Sequence, residues 1–374
     1  MFYDVAVVGA GVFGAWTAYK LRQAGASVLL LDAYGPGNSR ASSGGESRMI
    51  RMGYGPDEIY SRMAQRSLVL WQELFGERYR LFVKTGILWL AHERDPYCEA
   101  TVATLGRLDM NHEKLDRDEI ARRYPQLALG AVTWGIIEPD SGVLLARRAV
   151  QAVGAEARAI GVEYREAAIA LVDGAIRTTS GDEIGADRFV FACGPWLPKL
   201  FPELLGERIY VTRQEVLFLG VPPGDERFNA GVMPCWIDFN DLVYALPNIE
   251  GRGFKIAIDA HGPEFDPDTG QRMVTESGLA AAREYLAVRV PSLAGAPITE
   301  TRVCQYENTS NGDFLIDRHP GFENVWLVGG GSGHGFKHGP AVGEYVAQML
   351  LASGTPEPRF SLATKERVQE RKVF

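Results

Sequence analysis

The sequence predicts an α/β protein with one parallel sheet and a second, mixed or antiparallel sheet that gives its other domain an α+β character. Three observations indicate this fold. A strand–helix–strand unit opens the chain, a buried strand and a glycine cluster lie near its end, and segments typical of antiparallel strands lie between them. We therefore expect one parallel-sheet domain, interrupted by insertions that build the second domain.

The opening unit consists of three consecutive segments. Residues 3–8 (YDVAVV) have the continuous apolar character of a buried parallel strand, and residues 12–23 have the spacing of a helix. Residues 27–32 (SVLLLD) predict a second buried strand. In the middle of the chain, residues 188–196 (RFVFACGPW) combine a strand signal with a turn signal. These segments form the first two pieces of the predicted parallel sheet.

The end of the chain provides the third piece. Residues 324–328 (NVWLV) predict another buried strand, a glycine cluster follows it, and residues 340–351 have helical periodicity. Strands of the second sheet are predicted at residues 84–91, 213–219, 241–246 and 253–258.

The order of these signals sets the expected domain limits. A chain of 374 residues exceeds the usual size of one domain, so two domains are expected. We predict a discontinuous parallel-sheet domain over residues 1–83, 140–207 and 312–374, and a second domain over residues 84–139 and 208–311.

Composition excludes several classes of protein. The formal net charge of -8 argues against a nucleic-acid surface, and no apolar run is long enough to cross a bilayer. The four cysteines are too scattered for a disulfide framework and lack the spacing of a zinc site, so no metal is expected. The chain enters a strand pattern at once, without a secretory signal, and a cytoplasmic setting is the expectation.

A glycine motif, GxGxxG, lies between the first strand and the first helix. Gly9 permits a tight turn, Gly11 leaves room for a pyrophosphate, and Gly14 allows the helix to pack closely on the strand. Asp32 ends the next strand, at the distance typical of a residue that accepts hydrogen bonds from a ribose. The motif predicts a Rossmann-like dinucleotide site, but it does not distinguish NAD from FAD.

Further segments carry a family resemblance. Residues 42–51 (SSGGESRMIR), residues 302–306 (RVCQY) and residues 329–337 (GGGSGHGFK), together with FACGPW, resemble the D-amino-acid-oxidase or glycine-oxidase superfamily of flavoproteins. Within it, the chain is similar to the monomeric sarcosine oxidase and N-methyltryptophan oxidase group, which includes pipecolate oxidase. The similarity runs from the first residue to about the C-terminal helix.

The resemblance implies FAD as cofactor, an FAD-binding parallel-sheet domain and a substrate domain on the second sheet. It implies oxidation of a secondary or N-substituted amino acid by hydride transfer to flavin N5, followed by imine hydrolysis and reoxidation by dioxygen to give hydrogen peroxide. A monomer is expected. The residues implied to bind the cofactor are Gly9, Gly11, Val12, Phe13, Gly14, Asp32, Ala33, Ser39, Arg40, Ser42, Ser43, Arg48, Ala168, Cys193, Gly194, Trp196, Cys304, Gly331, Ser332, Gly333, His334, Gly335, Phe336 and Lys337.

Four cations match family positions at the reaction centre. Arg51 and Lys337 match the pair that binds the substrate carboxylate, and the fork of an arginine suits both carboxylate oxygens. Lys255, on an otherwise apolar strand, matches the lysine that helps dioxygen accept electrons, because its charge stabilises developing superoxide. Arg48 matches an arginine near the flavin ring. Taken alone, Arg51 and Lys337 are also compatible with solvated surface cations, and Lys255 with an outward-facing strand residue.

Other positions match the substrate pocket or depart from the family. Tyr244 and Tyr306 match pocket aromatics, although packing alone explains many such tyrosines. Asp259 replaces a histidine of the sarcosine oxidase group, and Glu307 stands where relatives often carry threonine. We expect both to add acidic character to the pocket, which puts sarcosine itself in doubt. A solvated strand end for Asp259 and a surface loop for Glu307 are the equally compatible alternatives. His334 is as compatible with a structural role as with catalysis.

The resemblance also implies a thioether between Cys304 and the 8-methyl carbon of FAD, although several relatives bind FAD without it.

Three alternatives to an oxidase stay open. They are a flavin dehydrogenase with another electron acceptor, an NAD-dependent dehydrogenase and a non-catalytic flavin-binding protein. The paired Arg51 and Lys337 argue against the last, because a sensor needs no carboxylate clamp.

Overall fold

The protein is described here by a computed structural model that covers residues 2–172, 175–352 and 354–370. The last four residues of the predicted segment 312–374 lie outside the described residues. The strands are β1 (Tyr3–Val8), β2 (Val28–Asp32), β3 (Arg48–Ile50), β4 (Phe82–Val83), β5 (Ile87–Ala91), β6 (Glu113–Asp116), β7 (Trp134–Glu138), β8 (Gly142–Leu144), β9 (Glu163–Glu166), β10 (Ile169–Val172), β11 (Ala175–Thr178), β12 (Ala186–Phe191), β13 (Ile209–Leu219), β14 (Cys235–Asp238), β15 (Val243–Leu246), β16 (Phe254–Ile258), β17 (Ile298–Thr309), β18 (Leu315–Arg318) and β19 (Val325–Gly329). The helices are α1 (Val12–Gln23), α2 (Glu58–Phe75), α3 (Pro96–Arg107), α4 (Arg117–Arg123), α5 (Ala146–Ala159), α6 (Leu197–Leu200), α7 (Pro202–Leu205), α8 (Glu276–Arg289) and α9 (Gly339–Leu351).

The first sheet is the predicted parallel sheet, with the strand order β18-β19-β12-β1-β2-β9. Five of its strands run parallel, and β18 pairs antiparallel at the edge. The central strand β1 is buried because its apolar run is covered on both faces. The strands come from the beginning, the middle and the end of the chain, which confirms the Rossmann-like α/β fold.

Helices α1, α5 and α9 pack together on one side of this sheet. A Cβ atom on Gly343 of α9 would lie 2.7 Å from the backbone of Trp16 in α1, so the close approach of these two helices requires glycine there. The indole of Trp16 is thereby buried between them. This contact holds the N-terminal and C-terminal parts of the chain side by side.

The second sheet is mixed, with the order β17-β13-β16-β15-β14-β5-β7-β6. All its neighbours pair antiparallel except β14 and β5. The long pair β13–β17 runs in register from Ile209 opposite Thr309 to Phe218 opposite Glu300, with a bulge beyond it. The expected mixed or antiparallel second sheet is therefore confirmed.

The two sheets are joined rather than separate. One apolar core contains Val7 of the parallel sheet and Trp89 of the mixed sheet. A small third sheet, β3-β8-β4, carries Arg48 into the space between them. The strands of each large sheet fall within the predicted segments, but the domain limits themselves stay a prediction.

In the described part of the chain, the helices are all too short or too polar to span a bilayer.

Candidate active site

The turn between β1 and α1 has a shape that only glycine allows. Gly9 has a φ of +102°, and a Cβ on it would lie 2.3 Å from the Ala192 carbonyl oxygen. A Cβ on Gly14 would lie 1.8 Å from the Gly9 oxygen, so α1 could not start so close to the turn. The N-terminus of α1 therefore faces the space above β1. The free N–H groups and the dipole of a helix N-terminus attract an anion such as a phosphate.

Asp32 ends β2 beside this turn. Its carboxylate accepts hydrogen bonds from the N–H groups of Ala10 (2.7 Å) and Tyr34 (2.8 Å). Burial raises the pKa of Asp32, while these two donors lower it. Each carboxylate oxygen keeps a lone pair for a hydroxyl donor, as a ribose site requires.

A cleft of about 400 Å³ begins at this turn and follows the carboxyl ends of the parallel strands. Most of the residues implied to bind the cofactor line it: Gly9, Gly11, Val12, Phe13, Asp32, Ala33, Ser42, Ser43, Arg48, Ala168, Cys193, Gly194, Trp196, Cys304, Gly331, Ser332, Gly333, Gly335 and Phe336. Five others do not. Gly14 lies beneath the turn, Ser39 and Arg40 lie outside the cleft, and His334 and Lys337 border a second cavity.

The far end of the cleft is shaped by the glycine loop after β19. Gly333 has a φ of +81°, and a Cβ on it would lie 2.8 Å from the ring of Tyr306. Ser332 has a φ of +44°, an uncommon conformation for a side-chain-bearing residue, and its hydroxyl donates to the Gly330 carbonyl (3.0 Å). Three glycines of this segment, Gly331, Gly333 and Gly335, therefore bring the backbone itself to the wall of the cleft. A long dinucleotide with a flat ring at one end fits such a space.

A second cavity, of about 80 Å³, opens from the end of the cleft. Arg48, Cys304, Tyr306, Ser332, Gly333 and Phe336 line both spaces. The other predicted catalytic residues, apart from Glu307, line the small cavity and not the cleft: Arg51, Tyr244, Lys255, Asp259 and Lys337. The reactive end of a cofactor in the cleft would therefore meet these side chains.

Two buried cations, Arg51 and Lys337, border the small cavity. Each is 5% exposed, and Tyr54 lies between them. The Arg51 guanidinium lies 4.3 Å from the Tyr54 ring centroid, while Lys337 Nζ donates to the Tyr54 hydroxyl (2.7 Å) and to the His334 carbonyl (3.1 Å). Burial, and then the charge of Arg51, hold the pKa of Lys337 well below its usual range. An anion bound in the cavity would relieve this repulsion.

Glu138, at the end of β7, holds the backbone next to Arg51. Its carboxylate accepts hydrogen bonds from the N–H groups of Met52 (2.6 Å) and Gly53 (3.0 Å). Trp89 Nε1 and the Ser141 hydroxyl, each at 2.7 Å, donate to it as well. Sequence reasoning missed Glu138, because one acidic residue at the end of an apolar strand is ordinary.

Tyr54 and His338 were also missed. The Tyr54 hydroxyl lies 2.7 Å from Nε2 of the fully buried His338, which extends the hydrogen-bonded row that begins at Lys337. The only signal in the sequence was the position of these residues within a few residues of Arg51 and Lys337. His334 has a structural contact, since its Nε2 lies 3.0 Å from the Gly312 carbonyl.

Lys255 reaches the small cavity from β16. The side chain is 2% exposed, and its ammonium donates to the Ser47 carbonyl (2.9 Å). Burial, together with the charge of Arg48, lowers the pKa of Lys255 to about 7. Lys255 also borders a separate cavity of about 410 Å³ that shares no other residue with the small one.

The two acidic departures lie in different places. The Tyr306 hydroxyl donates to Asp259 (2.7 Å) within the small cavity, and burial raises the pKa of Asp259. Glu307 instead lines the cleft, where its carboxyl approaches the N–H group of Gly331 (3.4 Å). The expectation that both residues acidify the substrate pocket therefore fails for Glu307, because its carboxyl faces the glycine loop along the cleft and does not line the small cavity.

Cys304 lies where the cleft and the small cavity meet. Its sulfur accepts a hydrogen bond from the Arg48 guanidinium (3.1 Å), so a cation lies directly beside it. Cys193 also lines the cleft, but burial raises the pKa of its thiol, as it does for Cys98 and Cys235. Cys304 is thus distinguished from the other three cysteines by its contact with a guanidinium at the junction of the two spaces.

Comparison with known proteins matches residues 4–349 to the family described as FAD dependent oxidoreductase. The chain is 31% identical over 365 residues to the monomeric sarcosine oxidase of Bacillus sp. (strain B-0618), covering 94% of this chain and 93% of that protein. It is 28% identical to the N-methyl-L-tryptophan oxidase of Salmonella heidelberg (strain SL476), with 97% of each chain covered. The solved structure of L-proline dehydrogenase from P. horikoshii superimposes with a TM-score of 0.81 at 21% identity, covering 96% of this chain and 97% of that chain.

Proposed function

Since the chain belongs to the FAD-dependent oxidoreductase family, as an amino-acid or amine oxidase of the sarcosine oxidase group, we propose that it oxidises a secondary or N-substituted amino acid. The observation that carries the proposal is the small cavity. It places the buried cations Arg51 and Lys337 next to the end of the cofactor cleft. A substrate carboxylate bound there would have its α-carbon directed toward the cleft.

Bound FAD would supply the hydride acceptor, and the residues that would hold it are those of the cleft. The side chains of this protein orient the substrate. Arg51 and Lys337 bind the carboxylate, which fixes the α-carbon relative to the cleft and converts a bimolecular encounter into a positioned one. The hydrogen-bonded row through Tyr54 and the bonds to Glu138 keep both cations in place. The amine reacts in its neutral form, because only then is its lone pair available.

Lys255 supports dioxygen as the electron acceptor. A positive charge at this buried position stabilises the negative charge that dioxygen acquires during reduction. The separate cavity that reaches Lys255 offers dioxygen a path that does not cross the substrate. A dehydrogenase with another acceptor is the alternative, and it would have no use for this lysine.

The Arg48–Cys304 contact supports a covalent link between Cys304 and FAD. The link would fix one end of the cofactor at the junction of the cleft and the small cavity. Acid precipitation tests it directly. Flavin colour that stays with the protein, and that is lost in Cys304→Ala, is expected; complete release of flavin from the unmodified protein contradicts the link.

The proposed activity is tested by anaerobic mixing of the FAD-containing protein with N-methyl, cyclic and glycated amino acids. The expected result is bleaching of the flavin by at least one of them, followed by recovery of colour and stoichiometric hydrogen peroxide on admission of air. Reduction without peroxide would favour the dehydrogenase. A flavin that no member of the panel reduces would contradict the proposal.

A further inference from the structure

Glu307 is a buried acid that the proposed reaction does not use. It lies near the end of β17 and is 9% exposed. Its Oε1 atom faces the Gly331 N–H group at 3.4 Å, and its carbonyl oxygen accepts from Ser332 (3.1 Å). Within residues 2–172, 175–352 and 354–370, its buried Oε2 atom has no hydrogen-bond partner. A buried carboxyl oxygen without a partner costs free energy unless a ligand satisfies it.

Among the residues that the structure describes, no cation forms an ion pair with this carboxyl. Titratable or charged groups on the elements around it include Asp32 at the end of β2, Cys193 after β12, and Tyr210, Arg213 and Glu215 on β13. In the described part of the chain, none of them makes an ion pair or a hydrogen bond with Glu307. The carboxyl is therefore mostly neutral below about pH 7 and ionises above it. Burial raises the pKa of Glu307 to about 7, although the N–H groups of Gly330 and Gly331 favour its charged form.

The position of Glu307 along β17 indicates which part of the cofactor it meets. It lies three residues after Cys304, which corresponds to about 10 Å along a strand. When one end of the flavin ring lies at Cys304, the opposite end lies near Glu307 and the glycine loop. Both Glu307 and the loop line the cleft. That opposite end of a flavin ring carries its nitrogen and carbonyl acceptors, and it gains negative charge when the ring is reduced.

We propose that Glu307 keeps its proton in the FAD-loaded enzyme and donates it as a hydrogen bond to the acceptor-rich end of the flavin, which couples the reduction potential to this carboxyl. The proposal rests on the proposed function for the placement of the cofactor. A neutral acid there stabilises the reduced cofactor, whereas a carboxylate would repel its charge. The protein thus has a proton-dependent control of the potential that a threonine at this position lacks.

The coupling has a definite sign. Reduction places negative charge near Glu307 and so strengthens its hold on the proton, and by linkage the proton favours reduction to the same extent. As the pH rises past the point at which Glu307 ionises beside the oxidised flavin, reduction must also bring a proton to Glu307. The potential therefore falls more steeply with pH in this range than below it.

The test is the midpoint potential of the flavin-containing protein, measured against a reference dye with a chemical reductant between about pH 6 and 9. Glu307→Gln keeps a donor of the same size without its titration, and Glu307→Leu removes the donor. Lys255 also titrates near pH 7, so the comparison with Glu307→Gln, in which Lys255 is unchanged, isolates the contribution of Glu307.

We expect the potential of the unmodified protein to fall more steeply than that of Glu307→Gln above about pH 7. At low pH, Glu307→Leu is expected to lower the equilibrium constant for flavin reduction at least tenfold. This lowers the midpoint potential by about 30 mV for a two-electron couple. Parallel plots for the unmodified protein and Glu307→Gln would overturn the proposal, even if Glu307→Leu failed to fold. The measurement needs no amino acid, so a missing oxidase activity would count against the proposed function alone.

Discussion

At the scale of single residues, the site depends on charges that the protein buries in its interior. Arg51, Lys255 and Lys337 are each at most 5% exposed, although lysine and arginine are among the residues least often buried. Burial of a cation is unfavourable unless an anion or a polar group compensates it. The excess of cations over Asp259 in the small cavity is therefore the best residue-level evidence for an anionic substrate.

Replacement of Arg51 by alanine tests the carboxylate clamp. We expect weaker substrate binding by roughly 2–5 kcal/mol, since a buried charge pair would lose one partner. Substrate affinity is measured from the change in the flavin spectrum. Arg62→Ala, which removes an exposed arginine paired with Glu58 on α2, is the control and should change nothing. An Arg51→Ala protein with unaltered affinity would rule the clamp out.

Lys255→Met tests the role of this lysine in oxygen reduction. It should slow reoxidation by dioxygen far more than reduction by substrate, which stopped-flow measurement of the two half-reactions resolves. Because the pKa of Lys255 is about 7, its charge is present below that pH and is lost above it. Reoxidation of the unmodified protein should therefore slow as the pH rises through about 7, and Lys255→Met should lose this dependence. Equal slowing of both half-reactions would assign Lys255 to binding or folding.

Asp259 determines selectivity in this account. Glu307 lies in the cleft, so among the described residues Asp259 is the acidic side chain that lines the small cavity. Substrates with a polar or cationic extension should be preferred over sarcosine, and Asp259→Asn should reduce that preference. The quantity to compare is kcat/KM across a broad panel. Sarcosine as the best substrate would refute this idea.

At the scale of elements, the sequence predicted best where a local signal decided the structure. The limits of β1 and α1 agree with the prediction because an apolar run, a glycine turn and a helical spacing follow one another. The full length of β17 and the small sheet around β3 were not predicted. Their extent is set by partners distant in sequence, such as β13 and β8, and an isolated polar strand such as Ile298–Thr309 has no apolar run to mark it.

The turn after β1 can be tested by a pair of glycine substitutions. Gly9→Ala places a Cβ 2.3 Å from the Ala192 oxygen, and should abolish FAD retention and destabilise the fold by roughly 1–3 kcal/mol or more. Gly181→Ala is the matched control, since Gly181 has nearly the same φ, +101°, with nothing within 4 Å of the new Cβ. Flavin content and thermal unfolding are the measurements. Equal loss of flavin in both variants would contradict the steric argument.

At the scale of the whole molecule, the active site exists because two sheets meet. Arg51 follows β3, Lys255 lies on β16, Cys304 lies on β17 and Lys337 precedes α9. The sequence identified these residues through a family resemblance, because composition and periodicity do not bring such distant positions together. It did not identify Tyr54, Glu138 or His338, whose importance depends on contacts that only the assembled fold creates.

The central claim is that the small cavity binds the carboxylate of an amino acid beside the flavin. The most direct measurement is the anaerobic rate of flavin reduction by the best N-substituted amino acid and by its carboxamide, in which the carboxylate alone is replaced. We expect the acid to reduce the flavin rapidly. The amide should bind with an apparent affinity at least tenfold lower, which is a loss of about 1.4 kcal/mol in binding free energy. Equal affinities and rates for the acid and the amide would contradict it.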